Sequence, residues 1–128
     1  MSDPDCVIVM HGTNDGPALH ESRLTTLIEN IQSRTDNLVV VIGEAQTTFS
    51  QTFTNNMSNM SKRVADAHGC LYIDINEAIP RFNILFSGDY LHPNHMGHQA
   101  VAHMVAAILT GDPIGQATSF AARFGQIA

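Results

Sequence analysis

Three short apolar runs, Cys6 to Met10, Leu38 to Ile42 and Leu71 to Ile75, constrain this chain more than any other feature. They are rich in Val and Ile, bounded by polar or turn-forming residues, and too brief for helices, so they read as strands. The first two lack the polar–apolar alternation of a half-exposed strand. Continuous runs of this kind belong to strands buried on both faces, as in a parallel sheet.

The segments between the runs carry a different period. Leu24, Leu27, Ile28 and Ile31 follow the i, i+3, i+4, i+7 spacing of a helix with one buried face. Phe53, Met57, Met60 and Val64 repeat the pattern, and Gly69 closes that helix. A last helix is expected from His95 to Leu109, with Val101, Met104, Val105 and Ile108 inward and Gly111 with Pro113 ending it. Alternation of strand and helix predicts right-handed crossovers, and so an α/β fold: a three-layer parallel sheet of about three strands with flanking helices.

A chain of 128 residues is one domain's worth, and 44 % apolar against 14 % charged residues excludes disorder. The reading places an α/β domain over residues 1–111 and a tail over 112–128, where Phe120 and Phe124 suit a short helix. The formal charge of −6 comes from scattered acids, and six Lys plus Arg form no basic stripe, which argues against a nucleic-acid partner. No apolar run approaches the roughly 20 residues that cross a bilayer, and the first five residues lack the charge and apolar core of a signal peptide. The expectation is a soluble chain without an export signal or a membrane partner. Cys6 and Cys70 read as reduced thiols packing as small apolar groups.

Two polar segments could carry chemistry. His11-Gly12-Thr13-Asn14-Asp15 follows the first strand and breaks into a loop at the C-terminal edge of the sheet, where open α/β folds bind ligands. There Gly12 can bring backbone close to a ligand, and the Asn14 amide can donate to a developing oxyanion. The alternative is plain turn chemistry. The second segment is Asp89-Tyr90-Leu91-His92-Pro93-Asn94, followed by His95-Met96-Gly97-His98. Asp89 is close enough to orient one nitrogen of His92 while the other acts as a general base. A solvated loop pair is the alternative. His92, His95 and His98 also invite a zinc reading, but Pro93 biases His92 away from helical geometry and no Cys or clear carboxylate ligand stands beside them, so no metal is expected.

Taken together, the two segments resemble the Gly-x-Asn-Asp and Asp-x-x-His-Pro blocks of the SGNH (GDSL-type) ester hydrolases, in the same order and with two βα units between them. The resemblance spans roughly Asp5 to Leu109. It implies an incomplete SGNH, flavodoxin-like fold, Asn14 as an oxyanion side chain with Gly12 in its loop, His92 as catalytic base and Asp89 as its orienting acid. It implies no metal or organic cofactor.

The chain departs from that family in its nucleophile. Family members supply the serine from a Gly-Asp-Ser block, and a further glycine N–H from a second block, both ahead of the Gly-x-Asn-Asp strand. Here only Met1 to Pro4 precede the strand segment, and no serine stands in a Gly-Asp-Ser context; Ser87-Gly88-Asp89 merely reverses the letters, and Ser87 reads as a loop residue. In the family's sheet the Gly-x-Asn-Asp strand is central. Without its neighbours, Cys6 to Met10 is expected to be a bare apolar edge that needs another chain, the same edge of a second copy, or the tail folding back to cover it.

These readings leave two main functions. One is a portion of an ester hydrolase acting on acyl esters, with O-acetyl groups on carbohydrate as a candidate substrate. The other is a catalytically inactive structural or assembly module, for example a virion component, built on a truncated hydrolase fold. A metal-binding protein using the histidines near the last helix is a third.

Overall fold

The computed structural model describes residues 3–12, 14–43, 51–75, 85–89 and 92–111. The tail 112–128, with Pro113, Phe120 and Phe124, and the motif residues Thr13, Tyr90 and Leu91 lie outside the described residues. Two compact units are recognised, one drawn from Met1–Glu44 and Thr52–Asp74, the other from Ala45–Gln51 and Ile75–Ala128.

The first unit is α/β. Strand β1 (Cys6–Met10), helix α1 (Pro17–Gln32), strand β2 (Leu38–Ile42), helix α2 (Gln51–Ala67) and strand β3 (Leu71–Ile73) follow one another along the chain. The strands form a three-stranded sheet in the order β1-β2-β3. Both pairings are parallel, with Cys6 opposite Leu38 and Val40 opposite Leu71. This is the fold class expected from the alternating periods.

One face of the sheet carries a hydrophobic core cluster. Val9, Val39 and Val41 pack with Leu24 and Ile28 of α1 and Val64 and Ala65 of α2, all buried, while Leu27, Ile31 and Tyr72 close around them. The helical periods predicted from sequence therefore aim at the sheet. Helix α1 starts without a side-chain cap: Gly16 occupies the N-cap at φ 72°, a region open to glycine, and Pro17 supplies a fixed φ at the first turn. Helix α2 ends as expected at Gly69, whose φ is 67°. The N–H of Cys70 reaches the Ala65 carbonyl at 2.9 Å and that of Gly69 the Asp66 carbonyl at 3.4 Å, the paired bonds of a Schellman cap.

Three expectations need correction. Strand β2 is buried from Val39 to Ile42, but β1 is not buried on both faces: Ile8 and Met10 are each 50 % exposed. The cause is position, since β1 pairs only with β2 and lies at an edge of the described sheet. The third strand is shorter than its apolar run, ending at Ile73, with Ile75 helical and fully buried. Cys6 and Cys70 are free thiols, each half-buried.

The second unit contains helix α3 (His95–Leu109), with the bounds expected from sequence. Its buried stripe is Gly97, Ala100, Met104 and Ala107; Val101, Val105 and Ile108 sit half-buried beside it. The third correction is thus that Met104 is inward as expected, while Gly97, Ala100 and Ala107, rather than Val101, Val105 and Ile108, complete the buried stripe. No helix among the described residues is long and apolar enough to cross a membrane.

Candidate functional site

Sequence-predicted residues fall into two local arrangements, one in each unit. In the second unit, the segment before α3 is folded back on itself. Phe86 and Pro93 form an antiparallel bridge, Ser87 N–H donates to the His92 carbonyl at 2.8 Å, and Asn94 N–H donates to the Leu85 carbonyl at 2.9 Å. Asn94 then caps α3, its side-chain oxygen accepting from Gly97 N–H at 3.0 Å while its amide donates to the Phe86 carbonyl at 3.1 Å. Gly97 is required by this fit, because a Cβ there would strike the Leu85 carbonyl oxygen and crowd Pro93.

Within that frame Asp89 and His92 meet. Asp89 Oδ2 lies 2.5 Å from His92 Nδ1, and Asp89 Oδ1 accepts from the His92 backbone N–H at 3.0 Å. A carboxylate at Nδ1 selects the tautomer that carries its proton there, leaving the Nε2 lone pair to accept another. The imidazole is 71 % exposed, so a reacting group can approach it. Chemically, a ring held this way can accept a proton at Nε2.

The histidines do not gather. His95 faces Gln99, with nitrogens 3.3 Å apart, and both His95 and His98 are exposed on α3. Among the described residues, His92, His95 and His98 do not form a converging ligand group. Pro93 accounts for this by tying His92 to the Phe86 bridge while the other two ride on the helix.

In the first unit, the loop after β1 is tight. Asp15 N–H donates to the Gly12 carbonyl at 2.8 Å, and Gly12 adopts φ 143°. Gly12 is buried, while Asn14 at the turn is exposed. Asp15 accepts from Arg23 of α1 at 2.6 Å, which pins the loop to the helix.

One residue went unnoticed in the sequence. His20 is fully buried in α1, its Nε2 bonded to Ser61 of α2 at 2.7 Å. Burial, reinforced by the His11 charge, lowers its pKa below the usual imidazole value, with Asp15 and Glu21 opposing. The available signal was its place four residues before Leu24 and eight before Ile28, on the apolar stripe. Its neighbours His11 and Asp15 bring the described residues' one converging set of His, Cys or carboxylate ligands.

The comparisons agree with this architecture. The GDSL-like Lipase/Acylhydrolase family matches residues 2–100. A lipase/acylhydrolase from Enterococcus faecalis superposes with a TM-score of 0.71 at 22 % identity, over 84 % of this chain and 62 % of that one. An α/β hydrolase enzyme from the metagenome of Lake Arreo, Spain, gives 0.69 at 22 % identity, over 87 % of this chain and 62 % of its own. The chain thus spans less than two thirds of the length of either structure, and likeness at this identity speaks to fold. No curated protein matches the sequence. From the strand, loop and helix pattern and the family match over most of its residues, the chain belongs to the GDSL-like lipase/acylhydrolase family.

Proposed function

We propose that these residues form the base-and-oxyanion portion of an ester hydrolase whose serine comes from polypeptide outside the 128 residues. The observation that carries the reading is the double attachment of His92 to Asp89. In this reading His92 Nε2 takes the proton of the serine hydroxyl as it attacks the acyl carbonyl, then returns it to the leaving alcohol. Asp89 keeps the ring in the required tautomer and stabilises the imidazolium. Asn14 donates to the oxyanion of the tetrahedral intermediate, with Gly12 shaping its loop. The substrate is an acyl ester, and O-acetylated carbohydrate is the class we favour.

The experiment is hydrolysis of p-nitrophenyl acetate by the chain together with a Gly-Asp-Ser-bearing segment of its family, with a fluorophosphonate probe to label the serine. Turnover should appear only with that segment present, and His92→Ala should abolish it while leaving the complex intact. Turnover unchanged by His92→Ala would remove that residue from the mechanism. Labelling of the isolated chain would locate the nucleophile within it.

A second reading, an assembly module without chemistry, is favoured by the β1 edge. Ile8 and Met10 present half-exposed apolar side chains beside an unpaired strand edge of the described sheet, a surface suited to another chain or a second copy. Ile8→Lys with Met10→Lys should then lower the mass of the species in solution, while an unlabelled, inactive oligomer would favour this reading over catalysis.

A further inference from the structure

We propose that His11, Asp15 and His20 form a binding site for a divalent transition-metal ion, zinc foremost, independent of any role in ester hydrolysis. One ligand atom from each residue lies within 4.8 Å of the others. His11 Nδ1 is 3.3 Å from Asp15 Oδ2. Zinc held at about 2.0–2.1 Å by tetrahedral nitrogen and oxygen ligands separates neighbouring ligand atoms by about 3.3–3.4 Å. That pair is therefore already spaced for a shared ion.

Among the described residues, two polar atoms at the cluster have no hydrogen-bond partner. Asp15 Oδ2 and His20 Nδ1 are both buried without a hydrogen-bond partner among the described residues, and the 3.3 Å approach of His11 does not make a hydrogen bond. A buried polar atom left unpaired is costly, and native structures keep few of them. A cation satisfies both at once.

The surrounding contacts fit this use. Ser61 engages His20 Nε2, leaving Nδ1 to coordinate, and a hydroxyl on the far nitrogen is the kind of outer contact that orients a metal-bound imidazole. Arg23 engages Asp15 through Oδ1 and leaves Oδ2 available as a ligand atom. His11 is 46 % exposed, so one side of the cluster is open to an ion arriving from solvent.

Two imidazoles and one carboxylate suit zinc and its first-row neighbours rather than calcium or magnesium, and leave one tetrahedral position for water. The ion would tie the loop that carries Gly12 and Asn14 to the first turn of α1. It needs no serine and no substrate. Loss of the hydrolase reading would leave it untouched.

The test is calorimetric titration of the chelator-treated chain with zinc, paired with cobalt(II) absorption in the visible. One zinc per chain and the intense bands of tetrahedral cobalt are expected. His11→Ala, at a half-exposed position, should weaken binding at least tenfold without altering the circular dichroism of the fold. Asp15→Asn, which keeps the side-chain shape, should do the same even if His20→Gln fails to fold. The double variant His95→Ala, His98→Ala should bind as the parent does. Zinc affinity unchanged by His11→Ala and Asp15→Asn, binding lost only with His95 and His98, or no binding at micromolar zinc would each overturn the assignment.

Discussion

Asp89 grips His92 twice, at its backbone N–H and at its ring Nδ1, with the two carboxylate oxygens divided between them at 3.0 and 2.5 Å. The first bond shapes the loop; the second sets the tautomer. An amide in place of the carboxylate can still accept from the backbone through its oxygen, but it offers Nδ1 an N–H where an acceptor is needed. In the serine-complete enzyme, Asp89→Asn should therefore reduce kcat by about 10²–10⁴-fold with little change in KM. Steady-state kinetics check this, and an unaltered kcat would separate Asp89 from the base.

Asn14 sits at an exposed turn, so its truncation removes no packing. If its amide meets the oxyanion, Asn14→Ala should lower kcat by about 10²–10³-fold while leaving the melting temperature near that of the parent. A rise in KM alone would instead mark it as a ground-state contact.

Gly97 and Gly88 make a paired test of the capping segment. At Gly97 an added Cβ meets the Leu85 carbonyl, which is backbone and cannot swing aside, whereas at Gly88 it meets nothing within 4 Å. Gly97→Ala should cost about 1–3 kcal/mol, and Gly88→Ala should be close to neutral, by urea unfolding. Equal losses would mean that the close approach does not govern stability.

Cys70 supplies a pH dependence. Desolvation raises its thiol pKa above the ordinary value of 9.0. The folded state then holds the proton to higher pH than the unfolded chain does, so this contribution to stability is present in full below the unfolded pKa. It declines as pH rises through the window above 9.0. The same shift predicts slow alkylation of Cys70 at neutral pH relative to an unfolded control, with acceleration beginning above the ordinary thiol range. Cys70→Ala should remove the alkaline decline; a persistent decline would belong to another group.

The amino-acid order alone determined the alternation of strands and helices. Continuous Val and Ile in β2 and the spacing of Leu24 and Ile28 are local periodic signals, and burial in the fold followed them. The Gly69 cap and the start of α3 at His95 were legible for the same reason, being properties of neighbouring residues. The Asp89 and His92 contact was legible as well, because the two residues stand only three positions apart.

Tertiary structure decided what depends on distant partners. Ile8 and Met10 have the composition of a doubly buried strand, yet their exposure follows from which strands lie beside β1. On α3 Val101, Val105 and Ile108 were expected inward with Met104, but the Leu85 carbonyl lies against Gly97, where a Cβ does not fit, and the buried stripe runs through Gly97, Ala100, Met104 and Ala107. His20 shows the limit most clearly. Its partner Ser61 lies 41 positions away on another helix, and no period in the chain records that two such groups will meet, because the packing of α1 beside α2 on one sheet face is what brings them together.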